Sequence, residues 1–171
     1  MQTMTHPIDT QPLRDRVAPL PRSPGVLLGV GLGGLLDGIV LHQVLQWHSM
    51  LSQRVPLRSL EALRVNMFWD GAFHAAMWLV TVLGVVRLVQ VLRMQPQAGR
   101  GRLVAGDALL GWGSFNMVEG LVNHQLLGLH HVVQAAADPL PADLAFLAFG
   151  AGLAAAGWAM GTTARRAVTP G

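Results

Sequence analysis

The sequence predicts an all-α integral membrane protein, a four-helix bundle of four spans, and three observations predict it. Of 171 residues, 51% are hydrophobic and only 12% are charged, too apolar for an ordinary soluble domain and short enough for a single one. The apolar residues fall into four runs, each near the roughly 20 residues a helix needs to cross a bilayer. The third observation is an internal repeat relating helices one and three. Asp37-Gly38-Ile39-Val40-Leu41-His42-Gln43-Val44-Leu45-Gln46-Trp47-His48 returns as Glu119-Gly120-Leu121-Val122-Asn123-His124-Gln125-Leu126-Leu127-Gly128-Leu129-His130. Carboxylate, Gly, His-Gln, Leu and His keep their spacing, because 119−37, 124−42 and 130−48 all equal 82.

Composition excludes several functions. There is no cysteine, which removes disulfides, thiolate ligands, iron–sulfur clusters and a thiol nucleophile, so any metal must be held by nitrogen and oxygen. The pI is 11.3, but the net charge is only +3 and the twelve basic residues, all Arg, lie between apolar runs rather than in a patch. That pattern directs membrane topology and does not bind nucleic acid.

Residues 1–24 hold five of the ten prolines and no apolar core, and read as a disordered cytoplasmic tail. Residues 25–164 form the membrane domain and 165–171 a short cytoplasmic C-terminal tail. Helix one runs from Gly25 to about Leu51, with Gly29, Gly33, Gly34 and Gly38 at the small-residue spacing that lets helices approach closely. A loop follows, with a short interfacial helix at Arg58 to Arg64. Helix two, Asn66 to Val86, opens with Asn66, Asp70 and His74 four residues apart on one stripe. Gly106 to about His131 is helix three, and Ala142 to Thr163 helix four. Ala148 and Gly152 stand where Asn66 and Asp70 would recur, so the second half of the repeat reads as eroded. Nine of the twelve arginines belong to the tail, the C-terminus and the loop between helices two and three, counting Arg87. By the positive-inside rule both termini are cytoplasmic.

The polar residues then share one level. At 1.5 Å per residue, Asp37 and His42 lie about 20 and 27 Å into the bilayer, and helix three, parallel to helix one, brings Glu119 and His124 to the same depths. Helix two enters from outside and puts Asp70 and His74 about 6 and 12 Å below that surface. The inner half of these helices is almost purely aliphatic. Ionisable groups inside a membrane are costly and mark function by default. One geometric difficulty stands: five residues turn an ideal helix by about 500°, leaving Asp37 and His42 roughly 140° apart. Either a π-bulge or kink near Gly38 brings them together, or the two address different neighbours.

Mixed carboxylate and imidazole ligands suit iron, manganese, zinc or copper, and inward-facing acids and histidines build dimetal sites in helical bundles. The expected ligands are Asp37, His42, Asp70, His74, Glu119 and His124, with His48, His130 and His131 as additional candidates and Gln43, Asn66, Asn116 and Gln125 as supporting hydrogen-bond partners. Two other readings stand beside this one: a haem between His42 and His124, and ion pairs that only fix helix packing. If the centre is catalytic, Glu119 is the natural proton acceptor in redox or hydrolytic chemistry. If not, the cluster passes metal ions or protons in transport or assembly. The partners expected are the lipid bilayer and either a second copy or another membrane protein, with no nucleic acid.

The motifs Gly-Gly-x-x-Asp-Gly-x-x-x-His-Gln at Gly33 to Gln43, Asp-Gly-x-Phe-His at Asp70 to His74, and Phe-Asn-x-Val-Glu-Gly-x-x-x-His-Gln at Phe115 to Gln125, followed by His130-His131, resemble an uncharacterised bacterial family of four-span membrane proteins. The resemblance covers roughly Gly25 to Thr163. It implies a multi-pass location in the bacterial inner (cell) membrane and no activity.

Overall fold

The computed structural model describes residues 21–94 and 100–168. Most of the expected tail, residues 1–20, lies outside them, as do 95–99 and 169–171. Four α-helices account for the described chain: α1 Ser23–Asp37, α2 Leu60–Met94, α3 Arg100–Glu119 and α4 Leu140–Val168, with no strand among the described residues. Pro24 sits in the first turn of α1, where its missing N–H has no helical partner to lose. α2 begins at Leu60, so the expected interfacial helix is its first turn, and α4 continues to Val168.

Two short π-helices extend α1 and α3: Gly38–Val44 and Gly120–Leu126. The bounds differ by 82 at both ends (120−38 and 126−44). Each ends alike. Leu45 N–H donates to the Val40 carbonyl at 2.8 Å and Trp47 N–H to that of Leu41 at 2.9 Å, while Leu127 bonds Val122 at 2.7 Å and Leu129 bonds Asn123 at 2.8 Å. The turn between these bonds is made by Gln46 and Gly128, both left-handed at φ 51° and 53°.

α1 packs on α2 and on α3, and α3 packs on α4, so neighbours run α2–α1–α3–α4 in a row. Glycine permits each approach. A Cβ on Gly29 would run into the backbone of Ala108 and Trp112, and one on Gly33 into the Trp112 ring. Gly34 is covered by Met77 and Gly38 by the His74 ring, so all four glycines singled out in helix one serve packing. Between α3 and α4, Gly106 and Gly157 lie against each other's helix, as do Gly113 and Gly150.

The burial pattern is inverted relative to a soluble protein. Among the described hydrophobic side chains only Leu103 and Val132 are buried, whereas Asp37, His42, His48, Asn66, Asp70, Glu119, His124, His130 and Asp143 all are. Met67, Phe68, Trp69, Trp78 and Leu79 of α2 are exposed. Such an exterior is soluble in hydrocarbon and not in water. Ser23–Val44, Leu60–Met94 and Leu140–Ala167 are long and apolar enough to cross a membrane. α3 is not among them, which departs from the four apolar runs read in the sequence. Flanked by α1 and α4, it buries Asp107, Asn116 and Glu119 against protein, so less of its surface has to dissolve in lipid. Asp107 also interrupts the aliphatic half. It is 2% exposed and paired with Arg165 of α4 at the end of the row away from the π-helices.

Candidate metal centre

The π-helices answer the question of the five-residue spacing. Winding to i→i+5 lets the fifth side chain return over the first. His42 Nε2 lies 3.5 Å from Asp37 Oδ2, and His124 Nε2 lies 3.1 Å from Glu119 Oε1. A bundle end is thereby formed from two acid–imidazole pairs on the central helices.

The loops beyond the π-helices then fold over them and exchange contacts. His48 Nδ1 donates to the Val132 carbonyl and His130 Nδ1 to the Met50 carbonyl, both at 2.9 Å. These bonds are related by the same offset, since 130−48 and 132−50 are both 82. The two rings stack with centroids 4.4 Å apart and planes 5° from parallel. His42 is 4.4 Å from His48 and His124 is 4.9 Å from His130, edge to face. His48 and His130, expected as additional ligand candidates, are 4% and 0% exposed.

The outer helices supply the remaining carboxylates. Asp70 Oδ1 of α2 accepts from His42 Nδ1 at 3.0 Å and from Met50 N–H at 2.7 Å. Asp143 Oδ1 of α4 accepts from Val132 N–H at 2.9 Å and stands 3.5 Å from His124 Nδ1. Met50 and Val132 are again 82 apart. The repeat does not point to Asp143, because the matching positions hold Ala148 and Gly152, whereas α4 delivers its carboxylate from its first turn. The signal that would have found it is an acid at a helix start, facing a histidine-rich loop across a short turn.

The other expected residues are placed as follows. His131 donates to Asp143 Oδ2 at 2.7 Å, and Gln125 Nε2 to the same oxygen at 3.2 Å. Asn66 accepts from Leu51 N–H and donates to the Val55 and Ala62 carbonyls, anchoring the loop that carries His48. His74 is not brought into the cluster: its Nδ1 donates to the Asp70 carbonyl one turn back, at 2.6 Å, and its ring covers Gly38. Gln43 is exposed on the wall of a vestibule of about 870 Å³, of mixed polar and apolar lining, shared with His42, His48 and Asp70. Asn116 is buried beside Asp37 with its Oδ1 unpartnered.

Hydrogen-bond accounting leaves the centre incomplete. His130 meets acceptors on both nitrogens, the Met50 carbonyl and Glu119 Oε1 at 2.9 Å. His42 and His124 likewise lie between two carboxylates. A neutral imidazole has one N–H. His124 Nε2 comes to 3.1 Å from Glu119 yet no N–H points at the oxygen, and His48 Nε2 and Glu119 Oε2 are buried without a partner. Two sets, His42-His48-His130 and Glu119-His124-His130, can each offer ligand atoms lying within 4.8 Å of one another. His48 lies past Val44, where the span ends. Burial first, then His130 and His42 nearby, hold its pKa well below the ordinary value and keep it a neutral donor.

Comparison with protein families decides the relationship, because one family covers residues 24–164, nearly the whole described chain. The chain belongs to the DUF2243 family of predicted membrane proteins. No curated protein and no solved structure matches it. The DUF2243 match takes in both π-helices, both loops and all four carboxylates of the cluster.

Proposed function

We propose that this protein is a membrane metalloprotein whose centre is held by His42 and His124 with Asp37 and Glu119, in the outer half of the bilayer, and by His48 and His130 of the loops that cap it. The observation that carries it is the state of the imidazoles. Three of the four, His42, His48 and His130, turn Nδ1 to a fixed carbonyl or carboxylate oxygen, the outer contact typical of a metal-bound histidine. Without a cation, His42 and His130 would each need a second proton to satisfy their acceptors, and buried cations with ring centroids 5.8 Å apart repel strongly. One or two transition metal ions, iron, manganese, zinc or copper, replace those protons.

The 82-residue correspondence supports a duplicated unit, with the halves related by a pseudo-two-fold axis along the membrane normal and both termini cytoplasmic. A haem between His42 and His124 fits poorly, because His48 and His130 stack in the space between those rings. A metal bound here would supply redox or Lewis-acid chemistry, and if the centre is catalytic Glu119, whose Oε2 has no partner, would be the proton acceptor. A second reading, a carrier or assembly factor passing metal ions, is favoured by the vestibule that leads to His42 and His48 from the loop side.

Elemental analysis of detergent-purified wild type, His42→Ala and His124→Ala tests the proposal. Stoichiometric metal in the wild type and its loss in both variants is expected. Equal, near-zero content in all three leaves only the packing role. Metal retained through prolonged chelator dialysis favours a catalytic centre, and rapid release a carrier.

A further inference from the structure

A second cavity, of about 530 Å³, opens beside the cluster between α1 and α4 and has almost wholly apolar walls. Trp47, Trp112, Phe146 and Phe149 supply aromatic surface, and Phe149 and Trp47 are exposed at its rim, on the side facing lipid. Its inner end is not apolar. Asp37 reaches it there, and so does Asn116, 2% exposed, whose Oδ1 has no hydrogen-bond partner. Both groups are acceptors, and an unpartnered buried acceptor is costly to leave without a donor.

Gly34 stands 82 residues before Asn116, and the space over it is filled by Met77 and Phe115. Phe73 stacks on His42 there with ring centroids 5.9 Å apart. The corresponding side of the cavity keeps Ala142 and Ala145 on α4.

We propose that this cavity binds a lipid-soluble hydroquinone, its flat ring between the aromatic walls and its O–H groups donating to Asn116 Oδ1 and the Asp37 carboxylate. The volume falls in the range of small-molecule sites. Aromatic walls suit a planar head, the lipid-side mouth passes an apolar tail, and two acceptors select a head with donors. Binding requires no metal and goes beyond the reading of the metal centre.

The test is equilibrium binding of decylubiquinol to the full chain in nanodiscs under anaerobic conditions, beside decylubiquinone and dodecanol. Decylubiquinol is expected to bind about tenfold more tightly than the quinone, which lacks the donors. Asn116→Leu should lose about the same factor. Ala145→Trp and, separately, Ala142→Phe should abolish binding by filling the cavity while leaving metal content unchanged. No binding of the quinol, equal affinity for dodecanol, or unaltered binding in both filled variants overturns the proposal. A wild type that holds metal but binds no quinol sinks this inference alone, and a wild type that binds quinol but holds no metal sinks only the metal centre.

Discussion

Gln46 holds a left-handed backbone at φ 51°, the conformation that Gly128 adopts at φ 53° at the end of the other π-helix. A side chain there costs about 1–2 kcal/mol. Gln46→Gly should stabilise the protein by about 1 kcal/mol and Gly128→Ala should destabilise it by a similar amount, both read as shifts in thermal unfolding in detergent. Asp70 and Asp143 pose the corresponding question for the centre. Each binds a loop N–H and faces a histidine Nδ1, so Asp70→Asn and Asp143→Asn should each lower metal affinity by about 10- to 100-fold, measured by competition with a chelator. Equal affinity in Asp143→Asn would mean that α4 takes no part. Asp70 was legible because it lies in a helical stripe with Asn66 and His74. Asp143 was not, since its position breaks the offset even though its contacts keep it.

At the scale of elements, the π-helices convert a spacing that an α-helix would scatter over two faces into a contact. The sequence posed this as a choice between a wider turn and divergent neighbours, and periodicity could not decide it. The decision rests on what packs outside the helix: the His74 ring against Gly38, and Leu147 and Phe146 against Gly120. Glycine contacts also set the row of helices. A Cβ on Gly113 would strike the Gly150 carbonyl and Ala154, whereas Gly152 has nothing within 4 Å. Gly113→Leu should therefore cost about 1–3 kcal/mol or more by forcing α3 from α4. Gly152→Leu should be neutral or slightly stabilising, since it only replaces a poor helix former. Equal unfolding temperatures for the two variants would contradict the packing described.

For the whole molecule, the membrane class was legible from composition, because an exterior of Leu, Val, Phe and Trp is dictated by lipid. The modest apolarity of α3 was harder to interpret, since its place between α1 and α4 depends on which helices are neighbours, and that lies in tertiary packing. The arginine distribution predicts an orientation with both termini cytoplasmic. With no native cysteine, Gln53→Cys should react with an impermeant maleimide on intact cells and Ala167→Cys only after permeabilisation; the reverse pattern would invert the topology.

The centre itself is tested most directly by X-ray absorption spectroscopy of the purified, metal-loaded wild type. The expected spectrum has a first shell of nitrogen and oxygen, with the multiple-scattering signature of several imidazoles that weakens in His48→Ala and in His130→Ala. A metal bound by oxygen alone, or an imidazole signature unchanged in both variants, would contradict a shared site built from the two loops.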